Sequence, residues 1–258
     1  MTISLSRSEI QSIVEKTDVS RLAQIKNLIL FVGHAHSGHS IVGSILDSHS
    51  DIALANEVNI AKLIVDHDLT QQEITSVLLY FSFQNSNEKG WKNSEYQYKH
   101  DKGFQGETSH PLILGDKKAG GTTRILIKHD WLLNHLIDMF KEKIKFIFVR
   151  RNPLDVVAAY SYYMNQPPCQ FHVDRYLENY QMVKTISQKV HSNQFIEVSQ
   201  ERFVHEPARV MVPVFEKISI PVQPEQLKQW VSSVRSDIKG KSETIKIPET
   251  LRVQLPVF

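Results

Sequence analysis

The sequence predicts an α/β protein, a three-layer sandwich with a central, mainly parallel sheet. Short apolar runs at residues 28–32, 112–114, 145–149 and 195–198 have the length and composition of buried strands. Segments with helical apolar spacing separate these runs, and strands that are joined through helices pair in parallel. A glycine-bearing turn follows the first run and leads into a helix, which predicts an anion-binding loop.

The helices are predicted from their caps and apolar stripes. Ser6 or Ser8 can cap a helix that ends near Lys16. Thr70 and Glu73 are spaced as a capping box ahead of an apolar stripe. Further helices are predicted to include residues 41–46, 56–65, 125–127, 131–140, 153–163, 176–190, 207–218 and 224–234, and residues 51–55 form a short strand or connection.

We expect a single domain over residues 1–258, with three segments that lie outside the regular alternation. Residues 1–26 form an N-terminal helical extension, and residues 239–258 form a polar tail. Residues 85–111 are polar, yet they contain four aromatic side chains, which a simple linker does not need. This segment is predicted to be a substrate lid, with a mobile surface insertion as the alternative.

The loop after the first strand has the pattern G-x-x-x-x-G, in which Gly33 and Gly38 are the glycines and His39 and Ser40 follow. This is the P-loop spacing, with histidine in place of the lysine of nucleotide-hydrolysing enzymes. That lysine contacts the terminal phosphates, and a neutral imidazole replaces it poorly. The pattern therefore favours a phosphate-type ligand over hydrolysis of ATP or GTP. An ordinary crossover with small residues for close packing is the alternative.

Composition excludes several classes of protein. The net charge of +2 gives no indication of binding to nucleic acid or to an anionic membrane surface. Cys169 is the only cysteine, which excludes an internal disulfide and a cysteine-based zinc site. The first residues have no apolar signal core, and no apolar run is long enough to span a bilayer. We expect a cytoplasmic protein.

Four stretches, taken in order, resemble the sulfotransferases that use 3′-phosphoadenosine-5′-phosphosulfate (PAPS). GHAHSGHSIVGSILDSHSDIALANE is similar to the family's 5′-phosphosulfate-binding loop, and LGDKKAG to the segment that supplies a lysine in the tyrosylprotein-type enzymes. KFIFVRRNPLDVVAAYSYY is similar to the 3′-phosphate segment, and VSQERFVHEPARVMVPVFEKISIP to a late stretch of the family. Four matches in the family's order are hard to produce by chance.

The resemblance implies which residues bind PAPS. Arg151 matches the arginine that contacts the 3′-phosphate, a task that suits a guanidinium. The family usually has a serine eight residues later, where this chain has Ala159, and Tyr163 lies near the same face of that helix. The remaining candidate donor-binding residues are those of the loop: Gly33, His34, His36, Ser37, Gly38, His39 and Ser40.

The resemblance also implies catalytic roles. Sulfuryl transfer needs positioned donors on the peripheral oxygens, a base for the acceptor and charge on the departing oxygen. Glu57 matches the general base, and Lys117 is the candidate cation for the leaving oxygen. His36 stands where the family has arginine or lysine beside the transferred group. With an ordinary pKa, His36 would be only partly charged at neutral pH.

The expected acceptor is a hydroxyl or amine of a small molecule, a metabolite or natural product, and no metal is expected. An ATP-dependent P-loop kinase is one alternative. It is disfavoured by His39 and because the strand at 145–149 runs into Arg150 instead of a magnesium-binding aspartate. A non-catalytic nucleotide- or metal-binding module is the other. The histidines at 34, 36, 39 and 49 are dense, but their spacing does not put them on one helical face.

Overall fold

The computed structural model describes residues 3–18, 20, 23–87, 91–93, 96–105, 108, 110–237 and 239–257. Its central sheet has five strands in the order β2-β5-β1-β6-β7, and every neighbouring pair is parallel. The strands are β1 (Asn27–Val32), β2 (Ile52–Asn56), β5 (Ile113–Lys117), β6 (Ile144–Arg150) and β7 (Phe195–Ser199). A separate antiparallel pair consists of β3 (Trp91–Asn93) and β4 (Tyr96–Tyr98).

Helices cover both faces of the sheet, which confirms the predicted three-layer architecture. All six residues of β1 are buried. Leu28 and Leu30 join one hydrophobic cluster, whereas Ile29 and Phe31 join the other. A strand with two buried faces requires this unbroken apolar run. No helix in the described part of the chain is long and apolar enough to span a membrane.

Each face has its own set of helices. The first face carries α1 (Arg7–Lys16), α3 (Ile60–His67), α4 (Gln71–Asn87), α5 (Gly120–Lys128), α6 (Trp131–Phe140) and α8 (Gln170–Lys189). The second face carries α2 (His39–Leu46), α9 (Gln200–His205), α10 (Pro207–Lys217) and α11 (Pro224–Val231). Helix α7 (Pro153–Met164) packs with α8 and the short α12 (Glu249–Arg252) in a third cluster.

The predicted caps form, but some boundaries differ from the sequence pattern. Ser6 and Glu9 form a capping box at α1, and Thr70 and Glu73 form another ahead of α4. Helix α8 begins at Gln170, six residues before the predicted position 176, and its first turn already buries His172 and Val173. Strand β5 continues three residues past the predicted end at 114 and therefore includes Lys117.

The three flanking segments are held in different ways. Helix α1 docks in the first hydrophobic cluster through Ile10 and Ile13. The side chains of residues 85–97 lie outside the described residues, so the lid stays a prediction there. The polar tail packs through Ile247, Leu251 and Leu255 against α7 and α8. These three buried side chains, spaced four residues apart, fix the position of the tail, and the partly buried Ile245 packs against the same cluster.

Residues 98–105 of the predicted lid are tied to the body of the protein. Phe104 donates its backbone N–H to the carbonyl of Ser48 at 3.0 Å. The buried His100 ring lies 2.8 Å from the hydroxyl of Ser44 on α2 and 3.0 Å from that of Ser233. These contacts anchor this part of the segment on the second face of the sheet.

Candidate active site

The loop at residues 33–40 follows β1 at the carboxyl edge of the sheet. Gly33 and Gly38 have φ values of 112° and 93°, a region that glycine adopts without steric cost. The Gly33 N–H donates to Thr123 Oγ1 at 2.7 Å, and its carbonyl accepts from Asn179 Nδ2 at 3.1 Å. Side chains of α5 and α8 therefore fix the start of the loop.

Helix α2 begins at the end of this loop. Gly38 is its N-cap residue and makes no side-chain capping bond. The first backbone N–H groups of a helix have no partner within it, and with the helix dipole they attract anions. Ser40 lies in this first turn and is mostly buried. Ser37 is also buried and donates to the carbonyl of His34 at 3.0 Å.

Glu57 and Lys117, both predicted to be catalytic, contact each other. Lys117 Nζ donates to Glu57 Oε1 and also to Ser40 Oγ, at 3.1 Å. Lys118 Nζ donates to the other carboxylate oxygen, Glu57 Oε2, at 2.5 Å. The contact arises because β2 pairs with β5 in a register that places Asn56 opposite Lys117. The site therefore joins the helix N-terminus, an acid and two cations.

Glu57 is ionised at neutral pH. Burial raises the pKa of Glu57, but the charge of Lys117 and the hydrogen bonds from Lys117 and Lys118 outweigh it and lower the pKa to about 2. Lys117 is 2% exposed, and burial lowers its pKa although Glu57 opposes that shift. The neighbouring Asp116 is fully buried, and burial raises its pKa to about 7. Its Oδ2 accepts from the N–H of Ile60 at 2.8 Å.

Arg151, His36 and Tyr163 form a second cluster on the loop. Arg151 Nη1 donates to the carbonyl of His36 at 2.8 Å, and Nη2 approaches Asp155 Oδ2 at 3.4 Å. The ring of His36 stacks on Tyr163, with centroids 3.9 Å apart and planes at 7°. Arg151 Nε is buried and has no partner among the described residues. An anion at this place would satisfy that donor.

The charge of His36 differs from the expectation drawn from the sequence. Burial is the largest effect and Arg151 the next, and together they lower the pKa of His36 to about 4, although Glu57 opposes them. The ring is therefore neutral at neutral pH in the protein without a donor, instead of partly charged. The reason is desolvation in the packed loop, which the sequence does not reveal.

The side chains of His34 and His39 are parts of the packed interior. His34 is fully buried, stacks on Tyr176 with centroids 4.2 Å apart, and has a pKa that burial lowers to about 3. Both of its ring nitrogens are buried and have no hydrogen-bond partner among the described residues. His39 lies 3.3 Å from Ser37 Oγ, and its pKa is lowered to about 3 by burial and by Lys117. Within the described ranges, no group of three or more His, Cys, Asp or Glu could hold a metal ion.

Sequence reasoning missed three residues of the site: Lys118, Asp155 and Ser242. Asp155 Oδ1 accepts from the backbone N–H of Ser242 at 3.1 Å and from its hydroxyl, so the tail supports the partner of Arg151. Asp155 stands in the quoted motif and could have been found, whereas Ser242 is 87 residues away and carries no signal. Ala159, in place of the family's serine, is buried and has no hydroxyl.

The fold and the site together define an α/β protein with a P-loop-like anion-binding loop. The model of the sulfotransferase family matches residues 29–224, which is most of the chain. The protein belongs to the sulfotransferase family and is a transferase. A comparison with curated protein sequences gave no match.

Solved structures of sulfotransferases have the same fold. The sulfotransferase domain from the curacin biosynthetic pathway matches with a TM-score of 0.55 and 13% identity, over 89% of this chain and 95% of that one. Sulfotransferase STF9 from Mycobacterium avium matches with a TM-score of 0.56 and 10% identity, over 96% and 80%. The sulfotransferase domain of the Synechococcus PCC 7002 olefin synthase matches with a TM-score of 0.50 and 11% identity, over 88% and 82%.

Proposed function

We propose that this sulfotransferase transfers the sulfuryl group of PAPS to a hydroxyl or amine of a small-molecule acceptor. The observation that carries the proposal is the contact of Lys117 with both Ser40 and Glu57. It places a cation and a carboxylate beside the N-terminus of α2, where an anionic group would bind. Base, cation and anion site are the three parts that this reaction needs.

The loop residues fit the two anionic ends of the donor. The N–H groups of the first turn of α2 and the hydroxyl of Ser40 would bind the phosphosulfate. Arg151, with its unpaired Nε, would bind the 3′-phosphate in a charge-assisted contact. Tyr163 stacks on His36 beside it and would border the same site. Gly33, Ser37, Gly38 and His39 would shape the loop between the two ends.

Glu57 and Lys117 would divide the chemistry between them. Glu57 takes the proton from the acceptor as the new bond to sulfur forms. Lys117 stabilises the negative charge on the bridging oxygen as the old bond to sulfur breaks. His36, which is neutral before PAPS binds, would donate a hydrogen bond to the transferred group. The negative charge of bound PAPS would raise the pKa of His36 and favour its protonated form.

The acceptor is proposed to be a metabolite or natural product. Two of the proteins with the same fold are described as domains of the curacin biosynthetic pathway and of an olefin synthase. Their identity of 13% or less shows a common fold only, so the acceptor class stays part of the proposal. A lid formed by residues 85–111 and a cytoplasmic location stay predictions.

A thermal-shift panel tests the donor. We expect 3′-phosphoadenosine-5′-phosphate (PAP), the nucleotide product, to stabilise the protein, because a ligand at 100 times its dissociation constant adds about 2.7 kcal/mol. ATP with magnesium should have a smaller effect, and zinc should have none. Stabilisation by ATP–magnesium alone would favour a kinase and contradict the proposal. Stabilisation by zinc alone would favour the metal-binding alternative.

A further inference from the structure

The two oxygens of the Glu57 carboxylate are held by different lysines. Lys117 bonds Oε1, and the same Nζ reaches Ser40 Oγ at 3.1 Å, so Oε1 is the oxygen that faces the loop. Lys118 bonds Oε2 at 2.5 Å. The side chain of Lys117 is 3% exposed, whereas those of Lys118 and Glu57 are 16% and 40% exposed. The carboxylate therefore lies between a buried lysine and one nearer to solvent.

The proposed chemistry gives Lys117 two tasks that it cannot perform at once. Lys117 pairs with the proposed base, Glu57, when no PAPS is bound, and during transfer it has to stabilise the oxygen that leaves. A general base works best with a pKa near the operating pH. The pKa of Glu57, which is paired with two lysines, is about 2 and therefore far below neutral pH. The bond from Lys117 to Oε1 must therefore be released when the donor binds.

We propose that Lys118 is a positioning residue, which holds Oε2 of Glu57 so that Oε1 points at the acceptor when Lys117 turns to the donor. This inference rests on the proposed function of Glu57 and Lys117. Lys118 keeps the carboxylate in place through one charged hydrogen bond, and the other oxygen becomes free to accept a proton. Donor binding thereby activates the base, because it removes one of the two cations that make Glu57 a weak base.

The place of Lys118 is built into the fold. A Cβ at Gly121 would lie 2.5 Å from Lys118 Cγ and 2.9 Å from its Cε, so only glycine leaves room for this side chain. The Gly121 N–H donates to the carbonyl of Lys118 at 2.9 Å. The backbone of Glu57 is fixed as well, with φ at 66° and its N–H donating to the carbonyl of Lys117 at 3.1 Å. The orientation of the carboxylate is then left to the two lysines.

Several titratable groups face Glu57, and the test has to separate them. His36 and His39 are neutral above about pH 4 because of their burial. Asp116 has a pKa near 7 and senses Glu57 electrostatically, so it can produce a pH effect of its own. Asp116→Asn keeps an oxygen for the N–H of Ile60 and removes that titration. It is the background in which pH profiles should be compared.

The experiment combines Lys118→Met with Glu57→Gln. We expect Lys118→Met to lower turnover by about 10- to 100-fold, as for a misplaced catalytic group, with PAP affinity unchanged. The acid limb of the turnover profile should move to higher pH, because Glu57 has lost a cation. In the Glu57→Gln background, Lys118→Met should cause no further loss. Lys118→Arg, which retains the charged donor, should recover part of the rate.

Gly121→Ala provides a second variant with Lys118 present. Its methyl group displaces the lysine stem, so it should reproduce the loss seen in Lys118→Met.

A 13C NMR titration of the Glu57 carboxyl needs no acceptor, and Lys118→Met should raise the pKa of Glu57. Additive losses in the double variant, or an unchanged Glu57 titration, would overturn the inference. A rise in the acceptor's KM with unchanged turnover would mean that Lys118 binds the acceptor instead. Failure of the wild type to bind PAP would contradict the proposed function. The NMR titration would still show whether Lys118 lowers the pKa of Glu57.

Discussion

Lys117 and Arg151 both contact the loop at residues 33–40, but different parts of the fold support them. Lys117 belongs to β5, is buried, and pairs with Glu57 at the end of the neighbouring strand. Arg151 follows β6 and pairs with Asp155 on its own following helix. The sheet holds the first cation, whereas the second depends on an acid that is bound in turn by Ser242 of the tail.

This difference has a physical consequence. The β2–β5 pairing cannot change without opening the core, so the cluster of Lys117 and Glu57 shares the stability of the whole sheet. The tail packs on α7 and α8 through three side chains that are each 8–9% exposed. Segments with few buried contacts open at lower cost than core strands. We therefore infer that the Arg151 end of the site is the more adjustable one.

The largest effect is expected at the cation in the sheet. Lys117→Ala removes the donor to the leaving oxygen, and the loss of one such donor typically lowers turnover by about 10²- to 10³-fold. Binding of PAP, measured by calorimetry, should change little. Lys62→Ala is the matched control, because Lys62 forms an exposed pair with Asp66 outside the site. Unchanged turnover in Lys117→Ala would remove Lys117 from the mechanism.

The next effect is expected at the other cation. Arg151→Ala should weaken PAP by about 10- to 100-fold, because a charged hydrogen bond contributes about 1.5–3 kcal/mol. Arg150→Ala is the control, since that neighbouring arginine bonds Glu197 on β7 at 2.6 Å. Equal losses in both variants would indicate a general effect of charge and would end the assignment of the 3′-phosphate to Arg151.

Acid should destabilise the protein through buried histidines of the loop and of the segment at 98–105. The pKa values of His34, His39 and His100 are lowered from 6.5 to about 3, 3 and 4, chiefly by burial. Below about pH 6.5 these histidines are protonated in the unfolded chain but stay neutral in the folded protein. The free energy of unfolding therefore falls as the pH drops towards the pKa values of the folded state. Each histidine contributes about 1.4 kcal/mol per pH unit in this window.

Chemical denaturation between pH 7 and pH 5 measures this slope. His100→Gln cannot titrate, and it should reduce the slope by the share of one histidine. An identical slope in wild type and variant would show that His100 is not held neutral in the folded protein.

The smallest effect is expected at the tail. Ser242→Ala removes the hydroxyl that donates a hydrogen bond to the carboxylate of Asp155, but the backbone N–H of Ser242 still donates to the same oxygen, and the effect on Arg151 is indirect. PAP affinity should fall by only about 2- to 10-fold, with turnover at saturating donor unchanged. Thr244→Ala is the control, because its hydroxyl bonds the carbonyl of Lys241 at 3.1 Å. If turnover fell instead of PAP affinity, the tail would act on the Lys117 cluster. That result would contradict the inference that the tail supports only the Arg151 end of the site.

Much of the fold was predictable because its signals are local. The apolar run of β1, the glycine spacing of the loop and the capping boxes act within a few residues. Strand β5 was predicted too short because Gly115, Asp116 and Lys117 are small or polar. They become strand because β1 and β2 pair with them on both sides, a tertiary constraint that overrides local preference.

The sequence by itself determined the architecture, the glycine-bearing loop ahead of α2 and the family, and through the resemblance it named Glu57, Lys117 and Arg151 as candidates. Only the tertiary structure decided which groups meet and which are charged. Strand register joins Glu57 to Lys117 across 60 residues, and the docked tail joins Ser242 to Asp155 across 87. The neutral state of His36 follows from desolvation. Contact and desolvation are properties of packing, and packing has no local signal in the chain.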